Sequence, residues 1–179
     1  MAHVVVVLFA SLGFRIGELL PPRLGTRIPL PVAQENRILC LSNITITDHL
    51  GRFDSITLLS TIYEQINFLK RAIQDTNTKL GLIALNTKNK KDRIVGISHC
   101  HIFDSNILCP ICNLCFYLIH RLGYFNKKLK ASDYLFVLLA KDKEILFPST
   151  TFRDTLSRVC KLNNFYPVHP HDFKRGILT

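Results

Sequence analysis

The sequence predicts an α+β fold, mainly helical, around a small antiparallel β-sheet. Three observations carry this. Apolar residues recur at helical spacing through Ile56, Leu59, Ile62, Tyr63, Ile66, Leu69 and Ile73, the pattern of a helix with one buried face. Two short β-type runs, Leu80–Leu85 and Arg93–Ser98, flank the polar, basic segment Asn86–Asp92, as the arms of a β-hairpin flank its turn. A 47% hydrophobic fraction with 20% charged residues over 179 positions suits one globular domain with a core and does not suit a disordered chain.

The elements follow in order. Residues 3–20 read as two helical pieces jointed at Ser11-Leu12-Gly13, the second stopped by Pro21-Pro22. Positions 21–37, rich in Pro, Gly and Arg, form a loop. Ile38–Thr47, with alternating Ile44-Thr45-Ile46-Thr47, reads as a strand and Asp48–Gly51 as a turn. A helix covers Ser55–Gln74, with Lys70 and Arg71 in its last turns, where cations suit the helix dipole. The hairpin follows. The next helix spans Ser105–Arg121, with Pro110 in its first turn and Gly123 as its cap. Tyr134–Ala140 reads as a strand ending at a turn, Lys141-Asp142-Lys143. Ser149 or Thr150 is the expected N-cap of a further helix. Its inner face is Phe152, Leu156, Val159 and Cys160, and its basic outer face Arg153, Arg158 and Lys161. Pro167 and Pro170 bracket a bend before a last helix that begins around His171.

Charge narrows the function. With 23 Lys and Arg against 13 Asp and Glu, the formal net charge is +10. A basic domain of this size points first to nucleic acid and second to an anionic membrane surface. Val4–Ala10 is apolar, but Arg15 interrupts it far short of the ~20 residues that a bilayer requires. No Lys or Arg precedes that run, so it reads as a buried helix and not as a leader. The expected setting is intracellular, nuclear or otherwise DNA-associated, with reduced thiols. DNA is the expected partner, with no membrane and no small-molecule substrate.

Two constellations carry chemistry. Cys109, Cys112 and Cys115 follow closely on His99, Cys100 and His101. Zinc takes four S or N ligands, commonly as two separated pairs; Cys109 and Cys112 would make one pair, and Cys100 with His99 or His101 the other. The spacing fits no named finger class, and cysteine is among the most buried residue types. The favoured reading is therefore core thiols and no metal. The alternative is a small metal-stabilised module on Cys100, Cys109, Cys112 and Cys115.

The second constellation is Arg15, Lys88 and Lys174, far apart in sequence, with His171 three residues before the last, each on or beside a turn or helix start. Phosphoryl transfer at DNA needs cations around the transition state and an acid for the leaving oxygen. Arginine grips two phosphate oxygens with its fork, and lysine is a flexible point charge that can donate a proton. Lys90, Lys91, Arg153 and Arg175 extend the expected DNA-binding surface. Taken singly, each of these residues suits a solvated face equally well.

In order and spacing these segments resemble the tyrosine recombinases, or phage-type integrases, and most closely the eukaryotic transposon branch, the Crypton and DIRS-type recombinases. Gly13-Phe14-Arg15-Ile16-Gly17-Glu18-Leu19-Leu20 resembles the first box, Gly-x-Arg-x-x-Glu-Leu. Phe53-Asp54-Ser55-Ile56-Thr57-Leu58-Leu59 resembles a segment that follows that box. Thr87-Lys88 falls at the hairpin lysine. Cys109-Pro110 resembles the Cys-Pro start of a mid-domain helix. His171-Asp172-Phe173-Lys174-Arg175-Gly176 resembles the second box, His-x-x-Arg.

The resemblance spans nearly the whole chain and implies a single, partial recombinase catalytic domain over 1–179. In it Arg15 and Lys174 would hold the phosphate, Lys88 would protonate the leaving oxygen and His171 would assist, with no metal or nucleotide cofactor. Lys174 stands where the family has arginine, and Arg175 is turned from it by about 100° on a helix. Losing a fork donor at such a site costs roughly 10²–10³ in rate. The family's nucleophilic tyrosine lies downstream of the second box, and none of Tyr63, Tyr117, Tyr124, Tyr134 or Tyr166 has that place. The expectation is therefore a recombination or integration domain that binds DNA and is inactive in strand cleavage as it stands. The alternative is a non-catalytic basic DNA-binding module. Family members act as synaptic tetramers, which leaves a homo-oligomer on DNA open.

Overall fold

The computed structural model describes residues 2–13, 16–21, 38–47, 53–54, 56–84, 92–99, 108–140, 143–169 and 172. Within them the chain is α+β, with helices packed on small antiparallel sheets. Helix α1 (Ala2–Leu12) ends at Gly13, whose φ of 60° is the left-handed conformation that lacks a penalty only without a Cβ. The one-turn α2 (Ile16–Leu19) follows. Val4, Val5 and Leu8 of α1 and Leu19 and Leu20 beyond the joint are buried together in the core. No helix among the described residues is long and apolar enough to cross a membrane.

The larger sheet has the order β2-β1-β3-β4, built from β1 (Ile44–Thr47), β2 (Phe53–Asp54), β3 (Lys79–Ala84) and β4 (Arg93–Ser98). Every pairing is antiparallel. Register aligns Ile44, Leu82 and Val95 in one cross-strand row and Ile46, Leu80 and Ile97 in the next. Alternation sends both rows to the same face, and these residues belong to the core or pack on it. Gly81 sits between Thr45 and Gly96, where an added Cβ would stand 2.5 Å from Thr45 Oγ1. A side chain there would require the Thr45 hydroxyl to move aside.

Helix α3 (Ile62–Gln74) presents Gln65, Phe68, Leu69 and Ala72 to the interior, a three-and-four spacing. Gln65 is wholly buried and satisfied. Its Nε2 donates to the carbonyls of Ile56 and Leu129, both at 2.9 Å, and its Oε1 accepts from the Leu129 amide. Helix α4 (Pro110–Phe125) is the central element, burying residues from Pro110 to Leu122 and packing on both α3 and α1. A second hairpin, β5 (Val137–Ala140) with β6 (Lys143–Leu146), leads into α5 (Ser149–Leu162).

Several sequence expectations are corrected. The strand expected from Ile38 begins only at Ile44, because the Asn43 side chain accepts from the Cys40 amide at 2.8 Å and folds Leu41–Asn43 into a 3-10 turn. The helix expected from Ser55 begins at Ile62. Thr61 caps it by accepting from the Glu64 amide, while Glu64 accepts from the amides of Ser60 and Thr61. Tyr63, expected on the inner face, is 74% exposed.

Further along the chain, α4 starts at Pro110 and not at Ser105. It ends on Asn126 in the left-handed conformation (φ 47°) and not at Gly123. Lys143 opens a strand where a turn was expected. Pro148, and neither Ser149 nor Thr150, stands at the N-cap of α5; the Ser149 amide instead donates to the Pro21 carbonyl at 2.9 Å. Val159 is exposed, while Phe152 and Cys160 are buried as expected. Most of the 21–37 loop and the 48–51 turn lie outside the described residues.

Candidate functional site

Arg15, Lys88, Lys90, Lys91, Cys100, His101, His171, Lys174 and Arg175 lie outside the described residues. The frame that carries them is described. The hairpin connection between β3 and β4 closes on the pair Ala84–Arg93, and Lys88 lies in that connection. Arg93 Nη1 donates to the Gly13 carbonyl at 3.3 Å and stands 3.8 Å from Glu18 Oε2. Gly13 precedes Arg15 by two residues, and Glu18 is the acid of the same motif. One side chain thus fastens the base of the basic hairpin to both sides of the first cationic motif. The carboxylate of Glu18 faces Arg93.

The third cationic segment follows α5. The start of that helix is tied to the end of α2 through Ser149 and Pro21, and α1 packs on it. Arg153, Arg158 and Lys161 are exposed on α5, as expected for its outer face. Beyond it, the His169 amide donates to Asp172 Oδ2 at 2.7 Å and the Asp172 amide donates to the His169 carbonyl at 2.8 Å. A side chain reaching back three residues to an amide is half of a capping box. Asp172 is helical.

The cysteines of α4 form a separate cluster. Cys109 is at the N-cap, and Cys112 and Cys115 lie within the helix; all three are buried. Cys109 Sγ is 3.3 Å and Cys112 Sγ 3.7 Å from His99 Nδ1. His99 Nε2 is 2.8 Å from the carbonyl of Ala72 in α3. A carbonyl only accepts, so Nε2 carries the proton and Nδ1 offers its lone pair. Cys115 is not part of this cluster. Burial, with the Cys109 thiol beside it, pushes the Cys112 thiol up to about 12. Burial likewise raises Cys115, and Cys112 and Cys109 add to that.

One buried ion pair escaped the sequence reading. Arg121 is 1% exposed. Its Nε and Nη2 donate to the two carboxylate oxygens of Glu144 at 2.9 and 2.8 Å, and its Nη1 donates to the Tyr134 carbonyl at 2.6 Å. Arg121 stands in helical phase with Leu114, Tyr117 and Leu118. That phase was the signal of its burial. The pair joins α4 to the second hairpin, and burial keeps the guanidinium from an external phosphate.

No protein-family model, no curated protein and no solved structure matches this chain.

Proposed function

We propose that the chain binds DNA as a domain of the tyrosine-recombinase type, with Arg15, Lys88, His171 and Lys174 directed at one backbone phosphate. The observation that carries this reading is the Arg93 bridge. It draws the hairpin that bears Lys88 to the motif that bears Arg15, although 80 residues separate Arg93 from Gly13. A phosphate gripped by both residues requires that neighbourhood. The net charge of +10 and the basic outer face of α5 supply the longer-range attraction that any duplex needs. The chemistry assigned to these residues is phosphate binding, with arginine as the two-pronged donor and the lysines as point charges.

Fluorescence anisotropy with a labelled duplex, titrated across salt concentrations, tests the proposal. Affinity is expected to fall steeply with salt, by a log–log slope of about 0.9 per phosphate contacted. Arg15→Ala and Lys88→Ala are each expected to weaken binding and to lower that slope. Lys70→Ala, at an exposed cation on α3, is the reference and leaves it nearly unchanged. Binding that ignores salt, or that responds equally to all three substitutions, contradicts the proposal.

A further inference from the structure

We propose that His99, Cys109 and Cys112 form a structural zinc site that clamps the end of β4 to the start of α4. The inference is independent of the DNA reading and rests on geometry. The three ligand atoms lie within 4.8 Å of one another. Tetrahedral zinc, with Zn–S of about 2.3 Å and Zn–N of about 2.0–2.1 Å, sets its N···S edges at about 3.5 Å. The two observed N···S distances, 3.3 and 3.7 Å, bracket that value.

The histidine is oriented as a metal ligand is oriented. Its Nε2–H is held by the Ala72 carbonyl, in the last turn of α3, where carbonyls lack helical donors. This fixes the ring and its tautomer and aims the Nδ1 lone pair at the sulfurs, as second-shell carbonyls do for metal-bound imidazole. The rival arrangement is a pair of core thiols hydrogen-bonded to histidine. There Nδ1, with its one lone pair, takes one thiol at a time, and the Cys112 thiol bonds to Cys109. A divalent ion engages all three groups at once, and with two thiolates and one neutral imidazole the buried charge sums to zero.

The ligands also come from separate elements. His99 follows β4, Cys109 and Cys112 open α4, and the supporting carbonyl is on α3. An ion here would close the 100–108 connection, and its binding energy would count toward folding. Loading releases one proton from each coordinating thiol. The fourth coordination position falls to a group outside this cluster.

The test uses the full chain, purified under reducing conditions without chelator. Elemental analysis is expected to find about one zinc per chain. Cobalt(II) substituted into the protein is expected to show thiolate-to-metal charge transfer in the near ultraviolet and the visible bands of tetrahedral coordination. His99→Ala and Cys112→Ser are expected to lose the metal and the bands. His99→Cys, which restores a ligand, is expected to keep them, so a folding defect in the first two does not decide the matter. Cys115→Ser and Cys160→Ser are expected to bind as the parent does. Three results overturn the site: a parent chain that takes up neither zinc nor cobalt from excess, uptake that survives loss of both His99 and Cys112, or uptake that depends on Cys115 and not on His99.

Discussion

Arg93 and Gly13, 80 positions apart, are joined by a 3.3 Å hydrogen bond from the guanidinium to the carbonyl. The bond places the base of a basic hairpin against the glycine that ends α1 and begins the first cationic motif. Arg93 is 41% exposed and its approach to Glu18 is long, at 3.8 Å, so its contribution to stability is small, under about 1 kcal/mol. Its contribution to position is larger. Arg93→Ala is expected to leave the melting temperature within a few degrees of the parent and to weaken duplex binding more than Lys70→Ala does, although each removes one positive charge. Anisotropy titrations of the two variants at one salt concentration check this.

The buried Arg121–Glu144 pair is the reverse case, where stability responds and DNA binding does not. Glu144→Ala leaves a guanidinium in the interior with one carbonyl partner. The expected destabilisation is about 3–5 kcal/mol, the range for an orphaned buried charge. Urea unfolding measures it. An effect below 1 kcal/mol would mean that the arginine escapes to water.

Thr61 sets where α3 begins. Thr61→Ala removes the acceptor for the Glu64 amide and is expected to cost about 1 kcal/mol. The Thr61 amide and hydroxyl, as hydrogen-bond partners, hold the Glu64 carboxyl below its usual range. The charged form is therefore the one that stabilises the fold. Its contribution is present above the ordinary carboxylate pKa and is lost as pH falls through the lowered one. A Glu64→Ala variant is thus expected to be less stable than the parent at neutral pH and to converge with it in acid.

Tyr117 carries the alkaline counterpart. Its hydroxyl accepts from the Val137 amide at 3.1 Å and donates to the Leu135 carbonyl at 3.2 Å. Burial raises its pKa to about 12. The neutral phenol is favoured in the fold, so its contribution is complete below the unfolded value of about 10 and is lost as pH rises from there toward 12. Tyr117→Phe is expected to cost about 1–3 kcal/mol at neutral pH by leaving the Val137 amide unpaired. The difference from the parent is expected to shrink above pH 10. Denaturation at pH 7.5 and at pH 10.5 separates the two regimes.

Local signals in the sequence were legible and long-range ones were not. Gly13 broke the first helix because the break is a property of one residue's backbone. The β3–β4 hairpin showed because its arms alternate and its connection is polar. The start of α3 was misplaced because Ile56 and Leu59 continue its apolar phase, while Thr61 and Glu64 decide the boundary through hydrogen bonds that periodicity does not contain. Lys143 reads as part of a charged turn with Lys141 and Asp142, and β6 goes unseen, because the arginine that neutralises Glu144 lies 23 positions away. The cysteines were visible as a cluster. Which histidine they meet depends on where α3 ends, since the Ala72 carbonyl orients His99. Arg93 gave no sign of its role, because Gly13 and Glu18 reach it only through the fold.

The central claim is that the first motif and the hairpin connection present their cations to the same phosphate. A double-mutant cycle in DNA affinity, with Arg15→Ala, Lys88→Ala and the double variant measured in one buffer, tests it most directly. Two residues on one phosphate are coupled, so the double loss is expected to differ from the sum of the single losses by about 0.5 kcal/mol or more. Losses that add within error, or affinities untouched by either substitution, would contradict the account.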